Sequence, residues 1–338
     1  MNVRTAAPTE VLTRRIVVPA VLVVGCLALS LVALGSGSLQ LSIPEVVDGL
    51  LGRGQDFAGT VVREWRAPRV VAGLAFGAAL GIAGAVFQSV TRNPLGSPDV
   101  IGLSTGAYTG ALVSITVVGT GYLSTTAGAL LGGIATAVVV YLLSWRGGLQ
   151  MFRLVVVGVA VTALLSGVNS WLLLRAQLEV AMSASLWGAG SLSLADWSDV
   201  WPALLTLGLC LPVVVALSGA LRQLELGDDA ARAHGVPVEP VRLVLLLAGV
   251  VLTSLVTAVA GPIAFVALAS PQIAHRLCRS AGLPLTASAL TGAFVLLAAD
   301  YVGQHLLPSE VPVGLITVVI GGGYLMMLLI HEARRRVT

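Results

Sequence analysis

Few residues of this chain combine the side-chain types and the spacing that catalysis requires. His331 and Glu332 begin as a zinc-protease motif would, but Arg335 stands where the second histidine of HExxH belongs. His275 and Cys278 are three residues apart and would share one face of a helix, yet a metal site needs more ligands than two. We therefore predict no catalytic residue and no metal site.

All nineteen basic residues are arginine. A phosphate-binding loop of the GxxxxGK[ST] kind and a lysine Schiff base are both excluded, because each needs a lysine. If ATP drives this protein, another chain must bind and hydrolyse it, and we expect no cofactor on this chain. No basic tract with interleaved aromatic residues indicates nucleic-acid binding.

The densest run of charged residues between two apolar runs is the segment 222–242. Asp228 and Asp229 precede a short helical pattern that Gly235 and Pro237 end. Acidic residues stabilise a helix N-terminus, and Gly followed by Pro stops a helix. The pattern predicts a short exposed helix on a cytoplasmic loop. Such a helix is either a binding site for a soluble partner or a solvated connector, and this segment alone leaves both open.

The composition predicts an all-α integral membrane protein. Hydrophobic residues make up 57% of the 338 residues and charged residues 10%, whereas soluble domains carry roughly 25% charged residues. A spanning helix needs ~20 apolar residues, so the length allows about ten spans in a single transmembrane domain, 1–338. The predicted spans are 16–35, 70–90, 100–118, 122–144, 154–174, 201–217, 243–260, 263–277, 285–307 and 313–330, with a coupling loop at 220–242.

The arginine distribution predicts the orientation of these spans. With ten spans and a cytoplasmic N-terminus, fourteen arginines fall in inner segments and five in outer ones. This distribution obeys the positive-inside preference, whereas nine spans would place the C-terminal arginines outside. Both termini are therefore expected in the cytoplasm.

Polar and small residues within the spans indicate how the helices pack. Asp300 and three amide side chains could face a water-filled path through the bundle. For the amides, hydrogen bonds between packed helices are an equally good explanation. An ion-coupled carrier would be expected to hold paired carboxylates in the membrane, and Asp300 alone weakens that interpretation. Glycines recur every three or four residues in the second span and predict close approach of a neighbouring helix. The amides are Gln88, Asn169 and Gln272, and the glycines are Gly73, Gly77, Gly81 and Gly84.

Several motifs in order resemble the iron-siderophore and cobalamin family of ABC importer permeases. They are 66–111, 226–236, 260–277 (AGPIAFVALASPQIAHRL), 298–304 and 311–322. Within this family, 178–192 and 321–325 look most like the G-type subunits of ferric-enterobactin permeases. Two departures are Gln304, where many relatives have arginine, and Gln272, which replaces the histidine of the usual Pro-His pair.

The resemblance implies a type II ABC importer bundle, like that of the vitamin B12 permease, in the bacterial cytoplasmic membrane. It implies a second permease subunit of the D type, two ATPase subunits that hold ATP and Mg²⁺, and an extracytoplasmic binding protein. The cargo it implies is a ferric siderophore of the catecholate class. A hydroxamate chelate, haem or cobalamin stays open as the cargo, and so does a carrier driven by an ion gradient.

The resemblance also assigns residues to three sites. Arg66 and Arg69 would dock acidic residues of the binding protein, although anchoring at the membrane interface explains them too. The cytoplasmic gate would include Asn93, Pro94 and Leu95. The contact with the ATPase would involve Leu226, Gly227, Asp228, Asp229, Ala231 and Gly235, with Ala231 and Gly235 on one helical face.

Overall fold

The computed structural model describes residues 8–53, 57–119, 121–146, 149–280 and 282–337. The first seven residues and the last residue of the predicted 1–338 domain lie outside this range. Within it, the regular structure is helical, apart from one isolated bridge between Trp145 and Leu149. The helices are α1 (Pro8–Gly35), α2 (Ile43–Leu50), α3 (Phe57–Thr60), α4 (Ala67–Thr91), α5 (Leu103–Val117), α6 (Tyr122–Ser144), α7 (Met151–Arg175), α8 (Leu178–Gly188), α9 (Trp197–Ala216), α10 (Ser218–Glu225), α11 (Asp228–Ala233), α12 (Val238–Ala260), α13 (Val266–Cys278), α14 (Leu285–His305) and α15 (Val313–Val337), with a π-helical segment, Val61–Arg66, between α3 and α4.

A helix lies at each of the ten predicted span positions. Among the described residues, seven stretches are long and apolar enough to cross a membrane. They fall in α1, in the continuous helix Phe57–Thr91 and in α6, α7, α9, α12 and α14. The apolar helix α5 and the apolar part of α15 are shorter.

One predicted span, 263–277, is shortened at its start. The helix there begins only at Val266, because Gly261 (φ 72°) and Phe265 (φ 68°) have left-handed backbone that interrupts helical geometry. With thirteen residues, α13 is about 20 Å long at 1.5 Å per residue, which is shorter than a hydrocarbon core of ~30 Å. The predicted span 100–118 likewise begins late, at Leu103, after Gly102 (φ 88°).

Helix α4 is the buried centre of the bundle and packs against α9, α12, α13 and α14. Its predicted glycine face is confirmed. A Cβ on Gly77 or Gly81 would lie 2.3 or 2.2 Å from a backbone oxygen of α14, and one on Gly84 would lie 1.7 Å from the Ala267 oxygen of α13. Two helices therefore touch α4 backbone to backbone, as small residues permit in membrane bundles.

The two ends of the bundle differ in what they carry. The end with α10, α11 and the turn after α4 (92–98) is called the α11 face. The opposite end, with α2, α3, the π-helical segment and α8, is called the α2 face. The π-helical segment is six residues long and runs directly into α4, so it fixes where arginines project at the α2 face. Short π segments recur at functional sites.

Candidate coupling site, gate segment and docking surface

The short helix α11 is held to the bundle by one buried face. Ala231 is fully buried and packs in the main hydrophobic core, to which Leu224 before the helix and Val238 after it also belong. Gly227 precedes the helix with a φ of 114°, a conformation that a side chain would strain. A Cβ at Gly227 would also lie 3.4 Å from Nη1 of Arg92. Glycine at this position is therefore explained by its backbone conformation, and Arg92 lies close to it.

The short helix that Gly235 and Pro237 were predicted to end is present, but it does not reach Gly235. Helix α11 ends at Ala233, and Gly235 follows His234 with a φ of 78°, as in a left-handed helix termination. Ala231 and Gly235 therefore do not share a helical face, and that prediction is wrong. Ala231 faces the core, while Gly235 is exposed and a Cβ there would meet nothing within 4 Å.

The outer surface of α11 presents residues of different character. Leu226, two residues before the helix, is 69% exposed. Asp229 is fully exposed and forms an ion pair with Arg232 at 3.2 Å within the same helix. Together with Gly235, these residues form a small surface that combines an apolar side chain, an ion pair and an exposed glycine. No other part of the described chain covers this surface.

Asp228 connects α11 with two other parts of the α11 face. Its Oδ1 accepts hydrogen bonds from Nη2 of Arg242 at 2.7 Å and from Nη2 of Arg92 at 3.2 Å. Arg242 belongs to the first turns of α12, is buried, and also donates to Glu239 at 3.2 Å. Desolvation raises the pKa of Asp228, but the hydrogen bond from Arg242 and the nearby arginine charges outweigh it and hold that pKa below the ordinary carboxyl value.

The predicted gate segment, Asn93 to Leu95, is the turn that ends α4. Arg92 has left-handed backbone (φ 51°) and closes the helix. Oδ1 of Asn93 accepts a hydrogen bond from the Leu95 backbone at 2.9 Å, which fixes a local turn, and Leu95 is 46% exposed. A cavity of about 260 Å³ lies beside this turn and is also lined by α10 and α13 residues. The structure thus brings the gate segment and α11 together at one face.

Two of the three predicted amides are packing residues. Nε2 of Gln88 donates to the Leu268 oxygen at 2.9 Å, and Nε2 of Gln272 donates to Oε1 of Gln88 at 2.6 Å. These bonds join α4 to α13. One residue along, Oγ of Ser89 donates to Oε1 of Glu225 at 2.6 Å and joins α4 to α10.

The third amide, Asn169, lines a cavity of about 410 Å³ between α5, α7 and the segment after α12. Asp99 lines it too, and its Oδ1 accepts a hydrogen bond from Ser104 at 2.5 Å. Oδ2 of Asp99 and Oδ1 of Asn169 are buried and have no partner among the described residues. The segment just after Asp99 packs halfway along α7, where a Cβ on Gly102 would lie 2.7 Å from Thr162. Asp300 is therefore not the only carboxylate at membrane depth. The role of Asp99 was not predicted, because the prolines around it indicate only a turn.

At the α2 face, both predicted docking arginines already have partners within the chain. Arg69 donates from Nε and Nη2 to the two oxygens of Asp300 at 3.0 and 2.9 Å, and Gln304 donates to the same carboxylate. Arg66 donates to the backbone oxygens of Leu34 and Leu39 at 2.8 and 2.7 Å. Arg66 thus ties the end of α1 to the start of the central helix, and Arg69 neutralises Asp300.

A model of the FecCD transport family matches residues 23–331. The chain belongs to the FecCD transport family. It is 45% identical to the ferric enterobactin transport system permease protein FepG of Escherichia coli K12, over 96% of this chain and 99% of FepG. It is 34% identical to FepD, a second ferric enterobactin permease protein of that organism, over 95% and 97% of the two chains.

A solved inward-facing metal-chelate type ABC transporter has the same fold as this FecCD chain. The TM-score is 0.82 at 27% identity, and the match covers 93% of this chain and 98% of the other. The predicted type II permease architecture is confirmed, with an approximate number of spans. This FecCD protein is a multi-pass permease subunit of an ABC transporter, and ATP hydrolysis belongs to separate chains.

Proposed function

We propose that this FecCD permease carries a ferric siderophore of the catecholate class across the bacterial cytoplasmic membrane, with both termini in the cytoplasm. The observation that carries the proposal is the 45% identity to a permease named for ferric enterobactin, which extends over nearly the whole of both chains. The solute crosses without covalent change. ATP and Mg²⁺ are bound by the partner ATPase subunits.

The proposed assembly is a heterodimer of two permease subunits. The chain is similar to both FepG and FepD, more so to FepG, which supports a G-type subunit that pairs with a D-type one. Two ATPase subunits would lie at the α11 face, and an extracytoplasmic binding protein would deliver the chelate at the α2 face. Apolar side chains exposed along α7 would face lipid or the second permease subunit.

The proposed roles of the site residues follow from their positions. Leu226, Asp229 and Gly235 would contact the ATPase directly, whereas Gly227 and Ala231 would hold α11 in place. The cytoplasmic gate would be formed by Asn93, Pro94 and Leu95, in the turn that ends α4.

Arg66 and Arg69 would dock the binding protein at the α2 face. Because Arg69 is already neutralised by Asp300, we expect it to add at most about 0.2 to 1 kcal/mol to docking, as exposed ion pairs do.

Competition in proteoliposomes tests the cargo class. The transporter is purified by a tag on this chain with its copurifying subunits, and uptake of radioactive ferric catecholate is measured with saturating loaded binding protein. An excess of unlabelled ferric catecholate should abolish the signal, whereas ferric hydroxamate, haem and cobalamin should leave it unchanged. Uptake of a hydroxamate, haem or cobalamin with no catecholate uptake would reassign the cargo.

A further inference from the structure

Asp228 and Arg92 form an ion pair between α11 and the residue that precedes the gate segment. In the proposed function, the ATPase moves α11 and the gate segment responds to that movement. We propose that Asp228 is a positioning residue that transmits displacement of α11 to the gate segment through Arg92. The inference rests on the proposed function, since it assumes that α11 is moved by an ATPase. It adds to that function the specific contact through which the movement reaches Asn93.

The geometry makes this contact a direct one. Asp228 is the first residue of α11, and Arg92 immediately precedes the gate segment. Their side chains meet at 3.2 Å, so no other residue lies between the helix and the turn. Both residues lie where the backbone turns, since Arg92 has a φ of 51° at the end of α4 and Gly227 a φ of 114° at the start of α11.

The two arginines that share Asp228 are not equivalent. Arg242 is closer, at 2.7 Å, its side chain is 3% exposed, and Glu239 is a second partner. The Arg92 side chain is 41% exposed, and among the described residues Asp228 is its one ion-pair partner. A solvent-screened pair separates more easily than a buried one. When α11 shifts, Asp228 therefore keeps Arg242 and releases Arg92.

A second link shows which part of α4 stays fixed. Ser89, one turn before Arg92, is hydrogen-bonded to Glu225 at the end of α10. Gln88 beside it is bonded to α13. The body of α4 is thus tied to both neighbours, so that release of Arg92 frees the turn 93–95 and leaves the helix in place.

The coupling ratio tests the proposal, because it compares chelate transported with ATP hydrolysed in the same proteoliposomes. We expect Arg92→Ala and Asp228→Asn each to lower this ratio at least about fivefold, within the range of measured coupling between sites, with ATPase activity retained. The double variant should be no worse than Asp228→Asn alone, since Arg92 acts only through Asp228. Arg92→Lys should restore most of the ratio.

The matched control is Arg222→Ala, which removes an exposed arginine of α10 at the same face. Its ratio should equal that of the wild type. Equal ratios in all variants, additive losses in the double variant, or an equal loss in Arg222→Ala would overturn the proposal. If the wild type transports no chelate at all, the proposed function fails instead.

A second measurement does not depend on the cargo. Leu95 is exposed and can carry a spin label in a background in which Cys26, Cys210 and Cys278 are replaced by alanine. In the purified complex, nucleotide should change the label's mobility, and Arg92→Ala should abolish that change. A nucleotide response that is the same with and without Arg92 would contradict the link.

Discussion

At the residue scale, the α11 face separates side chains that hold the permease together from those that are free for a partner. Ala231 and Asp228 are engaged within the chain, whereas Leu226 and Gly235 are open. The resemblance alone placed all of them in one contact. The difference is a matter of burial, which neighbours in space decide and which a short motif does not reveal.

Gly235 offers a clean steric test of the ATPase contact. Its left-handed backbone tolerates asparagine better than most residues, and no atom of this chain would meet the new side chain. We expect Gly235→Asn to retain most uptake and Gly235→Trp to abolish it. Membrane insertion, measured by quantitative blotting, should be unchanged in both. Normal uptake by Gly235→Trp would remove Gly235 from the contact.

The ion pair of Arg69 and Asp300 predicts a non-additive effect on stability. Arg69→Gln leaves the carboxylate of Asp300, which is 6% exposed, without its charged partner, and should lower the free energy of unfolding by roughly 1 to 3 kcal/mol. Adding Asp300→Asn should recover most of the loss, because no unpaired charge is left.

Thermal unfolding of the purified permease measures both Arg69 variants. Arg53→Gln, which removes an exposed arginine at the same face, is the control. A double variant less stable than Arg69→Gln would show that the pair does not act as a unit.

The depressed pKa of Asp228 predicts a pH dependence. A carboxyl group whose pKa is lower in the folded state stabilises the fold above its unfolded pKa, and that contribution is lost as pH falls through the folded value. The gap in unfolding midpoint between the wild type and Asp228→Asn should therefore be constant from about pH 6 to 8 and should shrink at more acidic pH, towards about 4 and below. A gap that changes between pH 6 and 8 would contradict the assignment.

At the element scale, the glycine face of α4 determines which helices can surround it. Alanine normally stabilises a helix interior relative to glycine by about 1 kcal/mol. Gly84→Ala should nevertheless destabilise the permease by at least about 1 to 3 kcal/mol, because its Cβ would overlap the Ala267 backbone. Gly167→Ala in α7 meets nothing and should be neutral or stabilising.

The yield of monodisperse protein after heating in detergent distinguishes these two glycine variants. Equal yields for Gly84→Ala and Gly167→Ala would mean that moving α4 away from α13 does not lower the stability of the permease.

Periodicity and composition predict the elements better than their contacts. Ten apolar runs and the glycine face follow from the sequence, because hydrophobic length and small-residue spacing are local properties. The break between α12 and α13 follows too, but its extension to Phe265 does not, since that depends on left-handed backbone at a residue type that seldom adopts it. The pairs that Asp228 forms with Arg92 and Arg242 were missed because these arginines are 136 and 14 residues away in the chain.

At the scale of the whole molecule, this subunit is incomplete in two ways that predict its partners. Most of α7 and α9 is apolar and exposed in the single chain, and α11 presents an uncovered surface. Among the described residues, Asp99 lies beside Ser104 and Asp300 is paired with Arg69, so these two carboxylates do not form the pair that ion-coupled carriers use. This arrangement agrees with the proposal that energy enters through α11.

The source of that energy is the most direct test of this account. Proteoliposomes that contain the purified complex and loaded binding protein are given internal ATP, with or without an uncoupler, and with either wild-type ATPase subunits or hydrolysis-deficient ones. Chelate uptake should require hydrolysis-competent ATPase and should be unaffected by the uncoupler. Uptake that continues without ATP hydrolysis and stops with the uncoupler would contradict the account.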